Sequence, residues 1–413
     1  MGDSYGNRIY EVIDRADYSE LGAIRVASEN ETQFGEVLTA GRTPIIELNS
    51  SYGTSVLRDL VTETGSGAVT NSTGSINVAT GATASSTAQL TSAEIGRYIP
   101  GYGAQIGLGI LIPTAATGEQ QALWGGIGED EDNGVYFGQD ASGLFVAIEK
   151  GGVFVEKVYQ ADWNQDKLNG KGRSGYTLDV TEGVIFQIEF TWYGFGQILF
   201  GVVGIIQDSN GFERQHFIPC HSVKMDGVSL QTPNLRVFAN VENGATAADY
   251  SLSVGGRQYS IVGTYIPKVR FCSEFRASTS TSTTRIPLVS FRRKSGFGDR
   301  SIKLQGFDAI VGSSPCLVQV VLDGTLTDAT FDTPRGHAAD EQALESDYQA
   351  TAISGGTLIW QQLVAAGSNI NKGVLAASNV DFDIPNGQTV SFCVRTVSST
   401  GTIILTGRCT EEW

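Results

Sequence analysis

The sequence is poor in several things. Its 413 residues include 3 His, 2 Met and 5 Cys, and 17% of them are charged, against about 25% in an average soluble domain. Lys and Arg number 28 against 44 Asp and Glu, a formal net charge of −16. A nucleic-acid partner needs clustered cations to neutralise phosphates, so this balance excludes one. The sole basic clump, Arg292-Arg293-Lys294, is too small for that task. The longest apolar run, 198–206, is too short to span a bilayer, so no membrane segment is read. The first fifteen residues lack a basic n-region and an apolar h-region, so no secretory signal is expected there. Gly6 stands where the myristoylation pattern wants Ser or Thr.

Cys220, Cys272, Cys316, Cys393 and Cys409 are widely spaced with no CxxC. They read as small buried hydrophobes, and paired zinc-ligand spacing is missing. The chain has no P-loop, Rossmann fingerprint, GxSxG or HExxH. No cofactor, metal or catalytic residue is therefore predicted.

What is abundant is glycine, at 51 residues, roughly twice the average usage. With Ser, Thr, Val and aromatics beside it, the composition predicts an all-β chain. Residues 1–45 read as a polar, extended N-terminal arm with one short helical stretch, 10–21, ending at Gly22. Residues 65–92 are Gly/Ser/Thr/Ala-rich. A flexible linker is one reading, but Val69, Ile76, Val78 and Leu90 favour small-residue strands. Segments 144–148 and 153–158 flank Gly151-Gly152 as a hairpin. Residues 186–192 alternate, with Phe186, Ile188, Phe190 and Trp192 on one face. Repeated short strands predict a jelly-roll or lectin-like sandwich over 46–277. A Ser/Thr run at 278–284 precedes a smaller β-sandwich over 285–413, in which 338–348 is the one candidate helix.

Few residues offer chemistry. The acidic cluster Glu129-Asp130-Glu131-Asp132-Asn133-Gly134 lacks calcium-loop spacing, and Asn133-Gly134 reads as a hairpin turn. His216 and His221 have no placed nucleophile, so they read as structural. Glu189 is the best strand carboxylate, but no second carboxylate lies two residues away on its face, as glycan hydrolysis would want. Trp163 and Trp192 read as core anchors. Trp163 and Tyr193 are also the candidate glycan contacts, because aromatic faces stack on sugar rings.

An ordered series of segments carries a resemblance. It includes Thr43-Pro44-Ile45-Ile46 with Tyr52-Gly53, Gly96-Arg97-Tyr98, Trp163-Asn164-Gln165-Asp166, Trp192-Tyr193-Gly194, Thr232-Pro233-Asn234 and Arg285-Ile286-Pro287, with Glu411-Glu412-Trp413 at the end. Together these resemble virion structural proteins of tailed bacteriophages and large DNA viruses. The resemblance implies a virion protein such as a capsid decoration, fibre or tail-associated subunit. It implies a homotrimer with other virion proteins as partners. The arm has too few hydrophobes for a core of its own, so it is expected to pack on neighbouring subunits or another virion protein through Ile9, Tyr10, Ile13 and Tyr18, the alternative being an arm folded back on its own sandwich. The alternative on the same fold is an adhesin binding a host-surface glycan.

Overall fold

A computed structural model describes residues 41–412, except 208–212, 226–229, 264–265, 267, 282, 298–299, 313, 338–341, 368, 373–382, 386 and 398–399. The expected arm contacts Ile9, Tyr10, Ile13 and Tyr18 and the short helix lie outside the described residues. Twenty-six strands and two single-turn 3₁₀ helices, Ser50–Tyr52 and Gln160–Asp162, make up the described secondary structure. The chain is all-β.

The first sandwich holds β1 (Arg42–Leu48), β2 (Asp59–Thr64), β3 (Ala68–Ser72), β4 (Ser75–Ala79), β5 (Thr87–Ser92), β6 (Gly103–Leu111), β7 (Gln121–Ile127) and β8 (Asn133–Asp140). It continues with β9 (Gly143–Lys150), β10 (Val153–Tyr159), β11 (Val184–Phe190), β12 (Gln197–Gln207), β13 (Glu213–Lys224), β14 (Arg236–Glu242) and β15 (Ser251–Val262). One sheet has eight strands, in the order β13-β12-β11-β6-β15-β4-β3 with β1 also on β15. The other has seven, β10-β9-β8-β7-β14-β5-β2. Alternation along β11 puts Phe186, Ile188 and Phe190 inside. There Phe186 and Phe200 of one sheet meet Trp124 and Phe137 of the other. Ring centroids lie 5.0 Å apart for Trp124–Phe186, 4.8 Å for Phe137–Phe186 and 5.4 Å for Phe137–Phe200. Edge and tilted contacts of this kind add to the apolar burial that holds the sheets together. Arg257 and Asp59 form a buried ion pair of 2.6 Å between β15 and β2, across the two sheets.

The second sandwich holds β16 (Val269–Thr281), β17 (Ile286–Arg293), β18 (Ile302–Val311), β19 (Cys316–Leu322), β20 (Thr325–Thr327) and β21 (Leu344–Asp347). Then come β22 (Ala352–Ser354), β23 (Thr357–Val364), β24 (Asn369–Lys372), β25 (Thr389–Thr396) and β26 (Gly401–Glu412). Its sheets run β16-β26-β18-β24 and β21-β17-β25-β19-β23, with a small β20-β22 pair beside them. Phe307 packs on Phe392 at 5.9 Å, and Phe291 meets Phe392 edge-on at 6.2 Å. Gly407 lies under those rings: a Cβ there would come within 2.8 Å of them.

Four expectations need correction. The arm does not extend to residue 45, because β1 starts at Arg42 and pairs with β15 from Arg42 onward. The second sandwich starts before residue 285: β16 pairs with β26 from Val269, and that ladder includes residues of the Ser/Thr run. Thr and Ser suit a pleated surface when a partner strand supplies the hydrogen bonds. Asn133-Gly134 is not the turn. Both residues sit in β8, opposite Lys150 and Glu149, and Glu131 takes the left-handed turn conformation at φ +56°. Of the candidate helix at 338–348, residues 338–341 lie outside the described residues and the rest is not helical, with 344–347 forming β21 paired with β17.

The two sandwiches touch. Lys303 of β18 pairs with Glu94 at 3.0 Å, and Arg97 with Glu412 of β26 at 3.4 Å. A cavity of about 250 Å³ at this junction is lined by residues of both units, among them Ile95, Arg97, Ser301 and Lys303.

Candidate functional site

The clearest candidate site is built on the segment between β10 and β11. Trp163 opens it. Its ring is buried against Phe137, 6.2 Å away and nearly perpendicular, and its Nε1 donates to the Val158 carbonyl at 3.2 Å. Trp163 is therefore an anchor under the loop and offers no face to a sugar.

Beyond Trp163 the chain docks on the edge strand β13. A bulge falls there, since Phe200 faces His221 while Gly201 faces Pro219, leaving Cys220 as the extra residue. A bulged residue drops out of the ladder. Its carbonyl instead accepts the N–H groups of Gln165 and Asp166, at 3.1 and 3.2 Å. The Asn164 side chain exchanges two bonds with the Ser222 backbone, at 2.8 and 2.9 Å. The Asn164 N–H donates to Nδ1 of His221 at 3.2 Å. Burial holds the His221 imidazole below its usual pKa, which keeps that nitrogen an acceptor.

Asp166 organises the next turn. Its Oδ1 accepts from the Leu168 N–H at 2.9 Å and its Oδ2 from the Ser174 N–H at 2.8 Å. Burial alone would raise this carboxyl, but those donors outweigh it and hold the pKa below the usual range. Leu168 is fully buried with φ +49°, a conformation leucine rarely takes. Gly172 is required where it stands: a Cβ would lie 1.8 Å from Asp166 Oδ1.

The result is a groove of about 470 Å³ between this loop and the β12–β13 edge, within the ordinary size range of small-molecule sites. Gln165, Asp166, Arg173 and Ser174 line the loop side. Ile206, His216, Phe217, Ile218 and Pro219 line the strand side. Alternation along β13 turns His216 and Ile218 toward the loop and puts the Phe217 ring on the opposite face, over Gly201. Apolar floor and polar rim are thus close together. Both oxygens of Asp166 are taken up by backbone hydrogen bonds, so this carboxylate serves to hold the loop.

A second, shallower groove of about 600 Å³ lies by β1 and β15, lined by Glu47, Asn49, Tyr52, Arg58 and Gln258 among others. Tyr52 is 76% exposed, with the Arg58 guanidinium 5.9 Å from its ring centre.

The other sequence candidates scatter. Tyr193 is exposed in the turn between β11 and β12 with φ +40°, before the Gln197 end of β12, whereas the groove lies against Ile206. The structure does not bring Trp163 and Tyr193 together. Glu189 accepts from Gln105 at 2.6 Å and Gln187 at 2.5 Å. Gln105 in turn accepts from Gln258 at 3.1 Å. Glu189's neighbours there are amides, and no carboxylate partner is among them. Glu129 of the acidic cluster is bound by Arg236 Nε at 2.7 Å. The sequence reading missed Arg173 altogether. The dense turn chemistry around Asp166 was the available signal, because an ordered long loop needs a reason to be ordered.

No protein-family model and no curated protein matches the chain. Solved structures do align. A protein of unknown function from Shewanella oneidensis covers 55% of this chain and 88% of its own, at 13% identity and TM-score 0.33. The carbohydrate recognition domain of Emp47p covers 56% and 100%, at 11% identity and TM-score 0.34. Lectin I-B4 from Griffonia simplicifolia covers 52% and 99%, at 9% identity and TM-score 0.32. At that identity and score, none of them lends a residue role or an activity to this chain.

Proposed function

We propose that the chain is a non-catalytic carbohydrate-binding protein, an adhesin, whose first sandwich takes a saccharide in the groove beside Asp166. The observation that carries this reading is the groove lining. Ile206 and Ile218, whose side chains share the loop-facing side of β12 and β13, offer an apolar surface for the C–H face of a sugar ring. Gln165, Arg173, Ser174 and His216 offer hydrogen-bonding groups for its hydroxyls. A glycan array followed by calorimetry on the best ligand tests it. Arg173→Ala and Ile206→Ala should each weaken that ligand at least about tenfold, a loss of roughly 1.4 kcal/mol. A chain that binds no glycan, or variants that bind as well as the parent, would refute the reading.

A second reading, a virion subunit acting through assembly contacts, is favoured by one other surface. Phe271 and Phe275 of β16, Ile404 of β26 and Ile310 of β18 are 69%, 50%, 42% and 51% exposed. The register sets Ala277, Ile404 and Ile310 in one row on the same sheet face. Contiguous exposed apolar surface marks protein contact, and a second copy of this chain is the partner in this reading. Phe271→Glu should then lower the oligomer mass measured by light scattering. A parent that is already monomeric at high concentration would remove the support.

A further inference from the structure

The second sandwich begins and ends on neighbouring strands, since β16 pairs with β26 along almost its whole length. In that ladder Cys272 stands directly opposite Cys409. The other cysteines have no such partner. Cys316 faces Thr396, Cys393 faces Gln319, and Cys220 is the bulged residue of β13. Directly opposed residues of an antiparallel pair point to the same face, with Cα atoms about 4.5–5.5 Å apart. A disulfide spans Cα separations of about 4.4–6.8 Å. Both thiols are buried in one core, 1% and 0% exposed. The Cys272 sulfur accepts from Gln342 Nε2 at 2.9 Å and lies 3.9 Å from Glu411 Oε2. To bond Cys409 this sulfur exchanges those partners for the Cys409 sulfur across the ladder.

We propose that Cys272 and Cys409 are a disulfide-forming pair that staples the first strand of the second sandwich to its last when the chain folds in the presence of a low-molecular-weight disulfide. The timing follows from burial. Burial and the Glu411 charge push the Cys272 thiol up to about 11, and burial with Cys272 alongside raises Cys409 well above its usual value. Thiols so held are poor nucleophiles in the closed ladder, so the bond closes as the strands come together. One cysteine thiolate attacks the external disulfide, forming a mixed disulfide and releasing one thiolate. The second cysteine thiolate then attacks the protein sulfur and expels the other. With glutathione disulfide as oxidant, two cysteine thiols become one cystine and two glutathione thiols are released, so electrons and protons balance. The bond would enclose nearly the whole second sandwich, and cross-links closing long loops restrict the unfolded chain most.

The test uses the full chain, unfolded in guanidinium and refolded with glutathione disulfide. Free thiols are then alkylated, and the products are read by intact mass and peptide mapping. The expected product has lost two hydrogens, keeps three alkylatable thiols of the five now free, and yields a peptide joining positions 272 and 409. Its thermal midpoint should rise by several degrees and return on reduction. Cys272→Ser or Cys409→Ser should abolish the shift, whereas Cys316→Ser and Cys393→Ser should leave it. If refolding fails, the same mapping is done on protein made in an oxidising and in a reducing cytoplasm. Five alkylatable thiols under oxidising conditions, a bond to another cysteine, or a 272–409 bond that lowers the midpoint would each overturn the proposal. None of these outcomes depends on glycan binding.

Discussion

Both sandwiches bury an ion pair, Arg257 with Asp59 in the first and Arg293 with Asp383 in the second, but they tether their loops differently. In the first, Asn164, Gln165 and Asp166 hold a loop against an edge strand, and the space left over is a groove open to solvent. In the second, polar groups sit inside the fold. Arg293 pairs with Asp383 at 3.3 Å with both side chains buried, and the buried Glu274 binds Arg335 and the Ser346 hydroxyl. Burial tends to raise the Glu274 carboxyl, but Arg335 outweighs it and holds the group ionised and low. The contrast teaches where a binding site can arise. Asn164 and Gln165 meet Ser222 through exposed atoms beside a groove, whereas Glu274 and Asp383 accept their bonds on buried carboxylates, where the bonds order the fold.

The sharpest way to break this comparison is to damage one core and watch the other unit. Phe392→Ala should cost about 3–5 kcal/mol in the second sandwich and leave ligand binding in the first intact. Guanidinium unfolding followed by both tryptophan fluorescence and ligand titration reads this. A single cooperative loss of both would show that the junction makes the two units one.

Asp166→Ala comes next, because it orphans two N–H groups at the loop. The expected cost is about 1–3 kcal/mol, confined to the loop. It should appear as faster amide exchange at Leu168 and Ser174 and as weaker ligand binding, with the second sandwich unchanged.

The loop should also loosen in acid. His221 has its pKa lowered in the folded chain, so the unfolded chain binds the proton first. The stability due to the neutral imidazole is therefore complete above about pH 6.5 and falls away as pH drops through the folded value. Chemical unfolding at several pH values should show this decline in the parent and less of it in His221→Gln.

The smallest effect is expected at the junction. Lys303 and Glu94 are both partly exposed, so Lys303→Ala should change stability by at most about 1 kcal/mol. A larger loss in the same unfolding assay would mark the junction as structurally central.

By itself the sequence determined the class of fold. Alternation from Phe186 to Phe190, though not on to the expected Trp192, which lies beyond β11, and the Gly151-Gly152 hairpin were legible because strand period and turn conformation are local properties. So were the small-residue strands β3, β4 and β5, whose Val69, Ile76, Val78 and Leu90 keep a strand's spacing despite the Gly-rich context. Trp163 was legible as a core anchor and illegible as a non-contact, since residue type does not say which face is covered. Only the tertiary structure decided the rest. Strand β16 joined the second sandwich because its partner lies more than a hundred residues away in β26. The groove exists because the bulge at Cys220 frees a carbonyl for Gln165 and Asp166, which sets the loop with Arg173 across from His216 and Ile218. Ladder register and bulge position depend on which strands meet, and pairing between strands far apart in the chain leaves no periodic mark in either segment alone.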